Sequence, residues 1–249
     1  MNGSMISPRA VGALYRSSVK EYLRNPVVVG FTAIMPLVLA VFLSLVMGNT
    51  EGLTPRHYFP NMLGVSMMWL GMFATAQPLV EQREQKIFRR MWATPLSRTS
   101  VLLSQLLFRM TIGVAQGLLF IIVGWVGFGV AVVGNWFLVI AATILGTLVF
   151  VSLGYVLAGV ARTQEAAPAV AQPLQMAMLF LSGTLLPAAI LPGAVQPVLK
   201  IVPLTYVADA LRQVISGLPP MFPLWADFAV MAGWLVLFFV LAVRLFRWE

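Results

Sequence analysis

The sequence predicts an all-α integral membrane protein, a single domain over residues 1–249, on three observations. Hydrophobic residues make up 60% of the 249 and charged residues 10%, with a mean hydropathy of +0.91, which leaves too little charge to cover a water-soluble domain of this size. Six apolar runs divide the chain, at 27–48, 59–80, 101–126, 136–161, 170–191 and 225–245, each long enough for the roughly 20 residues that span a hydrocarbon core. None alternates with period two as barrel strands do, and a segment in lipid satisfies its own backbone groups most simply as a helix.

Ahead of the first run, residues 7–25 read as an interfacial amphipathic helix. Ser7 and Pro8 supply an N-cap and first helical residue. Val11, Leu14, Tyr15, Val19, Tyr22 and Leu23 recur at helical spacing, while Arg9, Arg16, Lys20 and Arg24 take the other face. Asn25-Pro26 ends it. Such a helix anchors to lipid or meets a partner, and both roles are open. The first run is expected to be retained rather than cleaved: 26 residues precede it, it is too long for a signal-peptide core, and no small-residue cleavage pattern follows.

Lys and Arg between the runs set the expected orientation. With the N-terminus inside, Arg9, Arg16, Lys20, Arg24, Arg83, Lys86, Arg89, Arg90, Arg98, Arg162, Arg244 and Arg247 face the cytoplasm, against Arg56, Lys200 and Arg212 outside. Twelve against three is the positive-inside asymmetry, with both chain ends cytoplasmic. It accounts for the net charge of +8 without nucleic acid, which would want basic residues interleaved with stacking aromatics on a soluble face.

The second and third runs are joined by residues 81–100, the most charged stretch in the chain. Ile87, Phe88, Met91 and Trp92 would rest a short helix on the bundle while Arg83, Lys86, Arg89 and Arg90 project outward. This is either an ordinary positive-inside loop or the contact for a soluble subunit. In the third run Arg109 lies about 12 Å along the helix from Val101. It either snorkels to the interface or, with Gln105 and Gln116 within about 40° of it, forms a polar stripe that must face protein or water. Met68 and Met72 in the second run, and Gln172, Gln175 and Met176 in the fifth, mix thioethers with polar groups. They suit either plain packing or a cavity for varied amphipathic molecules.

Between the fifth and sixth runs, residues 192–224 carry six prolines, yet 199–202 and 207–215 are apolar enough to stay in the membrane. A broken, re-entrant pair dipping back from the outer side fits that mixture, provided the backbone is buried in protein. Asp209 and Arg212 share a helical face there and can pair. The segment is either a gate or a lid that only packs.

Thr94 to Arg98 (TPLSR), following Glu81, Arg83, Glu84, Lys86, Arg89 and Arg90, together with Leu181 to Pro192 and then Val202 to Gln213, resembles the permease subunits of bacterial ABC-2 type exporters. This group includes daunorubicin-type drug efflux and polysaccharide or lipid export, and the likeness runs over essentially the whole chain. It implies that 81–100 is a coupling loop seated in an ATPase, contacted through Glu81, Arg83, Glu84, Lys86, Arg89 and Arg90. It implies an outer gate around Pro203, Tyr206, Asp209 and Arg212, and the polar and thioether residues noted above, Met68, Met72, Gln105, Arg109, Gln116, Gln172, Gln175 and Met176, are the candidates for a pathway lining. The expected assembly has two permease subunits, identical or homologous, with two ATPases in a bacterial inner membrane, exporting a hydrophobic small molecule, drug, lipid or glycan. "EQREQKIFRR" lacks the glycine-containing continuation that the family carries after the acidic residue, which leaves the individual contact residues open.

The chain carries no G-x-x-x-x-G-K-[ST] phosphate loop, so ATP and Mg are expected on a partner and no cofactor on this chain. With no Cys and one His, His57, expected in a short outer loop, neither a thiolate metal site nor a Ser-His-acid constellation assembles, which argues against an enzyme. No Asp or Glu falls inside an expected span apart from Asp227, expected at the outer edge of the last one. That weakens the alternative of a stand-alone secondary transporter or channel, since proton-coupled transporters keep an ionisable relay in the membrane.

Overall fold

The computed structural model describes residues 8–47, 54–86, 98–161, 163–185, 193 and 196–245. Among them the fold is helical throughout, and five helices are long and apolar enough to cross a membrane. The protein is an all-α membrane protein.

Helix α1, Pro8–Arg24, turns Val11, Ser18 and Tyr22 inward and leaves its basic residues outside. Asn25 then caps α2, Pro26–Met47, by accepting a bond from the Val28 N–H, with Pro26 at the first helical position. Helix α3, Pro55–Glu84, is the axis of the bundle. Fifteen consecutive residues, His57 to Gly71, are buried, because α2, α4 (Arg98–Phe128), α5 (Trp136–Val160) and α8 (Pro203–Leu211) surround it. A helix enclosed on every side has no amphipathic stripe to show. Helix α9, Leu224–Leu245, closes the bundle against α5 and α8.

Close packing depends on missing side chains. A Cβ at Gly71 would strike the Phe150 backbone and one at Gly154 the Gly71 carbonyl, so α3 and α5 cross at backbone contact. Small residues permit such approach between membrane helices. Val207 packs on Gly146 and Gly64. Gly146 lies ten residues into α5, so α8 reaches about 15 Å into the bundle. The chain climbs back through a π turn, Arg212–Ser216, where the Val133 and Gly134 N–H groups donate to the Ile215 and Val214 carbonyls. Gly217, in the left-handed conformation at φ 62°, ends it.

Three boundaries differ from the hydropathy reading. Helix α3 extends past 59–80 at both ends, so His57 is a buried helical residue rather than part of a loop, and Glu81 to Glu84 continue the helix. Hydropathy averaging drops polar termini even where tertiary packing keeps them helical. Helix α6, Ala166–Leu181, has 16 residues, about 24 Å, and stops ten residues before Leu191. Gly183 at φ 75° breaks it, and the Ser182 and Thr184 hydroxyls both donate to the Leu179 carbonyl, 3.4 and 3.1 Å. Among the described residues between 193 and 223, the helical parts are α7 (Gln196–Leu199), α8 and its π turn.

Candidate functional site

Two polar systems stand out, one at each end of the bundle. At the end away from α1, Asp209 is fully buried on α8 and accepts from four donors. These are Arg212 Nη2 (2.7 Å), Gln213 Nε2 (3.3 Å) and the backbone N–H groups of Met221 (3.0 Å) and Phe222 (2.9 Å). The bond with Arg212 is the single ion pair among the described residues. Gln213 also donates to the Phe222 carbonyl (3.0 Å) and to Asp227 on α9 (2.7 Å), so one amide ties α8 to the first turn of α9. Asp227 is itself fully buried, with its second oxygen unpartnered. Tyr206 stacks on Phe222 at 5.0 Å and donates to the Lys200 carbonyl, while Pro203 starts α8. Beside this network Asn61 Nδ2 bonds His57 Nε2 (2.9 Å) and the Thr184 carbonyl (3.0 Å), fastening α3 to the end of α6. The assembly is a dense polar knot in an otherwise apolar bundle, and unpaired polar groups there are costly enough that such knots are closed by partners.

The second system runs along α4. Its stripe faces protein. Arg109, 2% exposed, donates from Nε to Thr75 Oγ1 (2.6 Å), from Nη2 to the Ala74 carbonyl (3.0 Å), and from Nη1 to the Gln105 side chain and carbonyl. Gln116 donates to the Thr32 carbonyl (3.2 Å). Thr75 and Ala74 belong to a π turn in α3, Met72–Ala76, and Thr32 to another in α2, Gly30–Ile34. A π turn widens the helix and loosens its hydrogen-bond ladder, opening a carbonyl to a side-chain donor. The stripe therefore closes two irregular turns in neighbouring spans. Tyr22 adds α1 to the set through Thr32 Oγ1, 2.7 Å. Burial raises its phenol pKa above the ordinary value, against the hydrogen bonds to Thr32 and Gln116, so the hydroxyl keeps its proton.

At the same end the charged residues that close α3 grip the bundle. Arg83 donates to the Ala158 carbonyl (3.1 Å) and to the Ala161 carbonyl, capping the C-terminus of α5 where the helix dipole is negative. Glu84 accepts from the Gln164 N–H at 3.1 Å. Glu81 bonds Gln85, and Lys86 is exposed, with φ 53°. Arg89 and Arg90 lie outside the described residues. Of the residues considered for a pathway, Met68 and Met72 are fully enclosed, and Arg109, Gln116 and Gln175 are nearly so. Gln172 and Met176 are exposed on α6, and Gln105 is half-buried.

Sequence reasoning passed over His57, Asn61, Thr184, Gln213 and Asp227. The i, i+4 spacings of His57 with Asn61 and of Asp209 with Gln213 were available signals, but a loop was expected at His57 and a helix edge at Asp227. Among the described residues no group of three or more His, Cys, Asp or Glu could hold a metal ion.

Comparison with known proteins gives two findings. The family model described as ABC-2 type transporter matches residues 9–216. The chain is also similar to "ABC transporter G family member 20" of Dictyostelium discoideum, 26% identical over 196 residues, covering 76% of this chain and 27% of that protein. It thus spans about a quarter of that relative's length.

Proposed function

Because the chain belongs to the ABC-2 type transporter family, a family of membrane domains that work with ABC ATPase subunits, we propose that it is the membrane permease subunit of an ATP-driven exporter. Two such subunits, identical or homologous, would enclose the pathway, and two cytoplasmic ATPases would bind ATP and Mg. The observation that carries this reading is the extent of the match, from the start of α1 through the π turn after α8. The geometry supports it at the α1 end. There α3 continues as a charged helix to Glu84 and is clamped through Arg83 and Glu84 to α5 and the 161–166 turn. Force applied at residues 81–100 would therefore move two helices together. The twelve-to-three Lys and Arg asymmetry supports placing that end in the cytoplasm, and the resemblance to bacterial exporter permeases favours a bacterial inner membrane. The similarity to daunorubicin-type permeases favours a hydrophobic small molecule or lipid as cargo, and the exposed Gln172 and Met176 on α6 are available to a facing subunit.

The test is reconstitution with a candidate ABC ATPase partner. Addition of the chain should stimulate ATP hydrolysis and drive efflux from proteoliposomes. The pair Arg89→Glu and Arg90→Glu should weaken ATPase capture about tenfold while membrane insertion stays intact. Substrate flux by the chain alone, driven by a proton gradient and indifferent to ATP, would overturn the proposal in favour of a stand-alone transporter.

A further inference from the structure

We propose that the cavity between α1, α3 and α4 is a binding site for the phosphate-bearing headgroup of a phospholipid drawn from the leaflet at the α1 end. The inference needs only the membrane fold and stands whether or not the exporter reading holds. The cavity measures about 60 Å³ and is lined by Ser18, Glu21, Gln82, Gln105, Phe108 and Arg109, among others. At roughly 15 Å³ per water-sized group, it admits about four such groups, the number of oxygens on a phosphate.

Arg109 gives the cavity its sign. Its guanidinium is 2% exposed, and no carboxylate among the described residues comes within ion-pair distance of it. Four bonds use four of its five N–H groups, all to uncharged acceptors, and one Nη2 hydrogen remains. Its direct partners are all neutral, and Glu21 acts on it only across the cavity, so it gains from an anion placed against it. Glu21 lines the same cavity and would oppose a bare dianion, but it suits a headgroup that also carries an ammonium, as phosphoethanolamine does.

Two further hollows border the same helix, α1. An open one of about 560 Å³ shares Glu21 and Asn25 with the cavity and adds Lys20 and Arg24, a basic approach for a phosphate. Another of about 560 Å³ lies along the seam of α1 and α4, walled by Val11, Tyr15, Leu103 and Leu107, with the apolar character an acyl chain requires. Leu103 to Leu107 extends it about 6 Å along α4. The basic approach, the cavity and the apolar groove all border α1, so one phospholipid laid against that helix could present its headgroup to the cavity and its tail to the groove.

Native mass spectrometry of the full chain in detergent, stripped of lipid and titrated with phosphatidylethanolamine, glycerophosphoethanolamine or inorganic phosphate, tests this. One phosphatidylethanolamine should be retained per chain. Arg109→Gln should weaken it about tenfold, and Ser18→Leu, which fills the cavity from α1, by a similar factor. Gln82→Leu serves as the third variant should Arg109→Gln fail to fold. Equal retention of lipid by the wild type and by the folded variants would overturn the proposal. Binding of inorganic phosphate or of the deacylated headgroup as tightly as the intact lipid would overturn the lipid source.

Discussion

Removing the Asp209 carboxylate strands three donors at once, Arg212 and two backbone N–H groups of the turn before α9, while Gln213 keeps Phe222 and Asp227. Removing Arg212 takes one donor from a carboxylate that keeps three others. Asp209→Ala should therefore cost about 3–5 kcal/mol, the scale of a broken buried pair, and Arg212→Ala about 1–3 kcal/mol. The double variant should match Asp209→Ala alone, because the two losses share an interaction. Thermal unfolding in detergent reads all three, and equal or additive losses would contradict this hierarchy. Export per folded complex, measured alongside, separates a gate from a lid. At this scale the sequence shows the i, i+3 pair, since both residues sit on one short helix. It does not show that Met221 and Phe222 return to the same carboxylate, or that Gln213 reaches Asp227, because that depends on where the chain turns after Gly217. The α4 stripe was legible as a stripe, but not its partners, which exist only once α2 and α3 have formed π turns.

Helices here are positioned by absent side chains as much as by present ones. Gly71 and Gly154 let α3 and α5 meet backbone to backbone, whereas a Cβ at Gly127 in α4 would meet nothing within 4 Å. Gly154→Val should destabilise the fold by at least about 1–3 kcal/mol, the usual cost of overpacking, since backbone cannot yield as a side chain can. Gly127→Val should leave unfolding nearly unchanged. Detergent thermal shift with size-exclusion homogeneity distinguishes them, and similar behaviour of the two variants would refute the close crossing. Apolar runs located every long helix because lipid selects for them. They missed the true C-terminal end of α3 because Arg83 and Glu84 tie its last turn to the end of α5 and to the turn at Gln164, a tertiary fact invisible to a sliding window. They overran α6 because the residues beyond Gly183 stay apolar after the helix has stopped.

On the scale of the molecule, the order of helices and the charge asymmetry predict which loops share a side. The chain has no cysteine, so single cysteines introduced at exposed Thr163 and exposed Gly193 should react with an impermeant maleimide from opposite faces of the membrane, Thr163 from the cytoplasmic one. Reaction of both from one face would overturn the orientation. The overall plan was legible because composition and charge placement are chain-wide properties, while the polar knot and the α4 seam were not, because each joins residues from three or more elements. The π turn at Met72–Ala76 has a consequence of phase. A single extra residue there rotates everything after it by about 100° relative to an unbroken helix. Arg83 and Glu84 meet the end of α5 with that rotation included. A one-residue deletion between Leu70 and Gln77 would shorten α3 by only about 1.5 Å, yet it would swing its charged tip a quarter turn away from α5. What that stretch of α3 transmits to its tip is an angle more than a length.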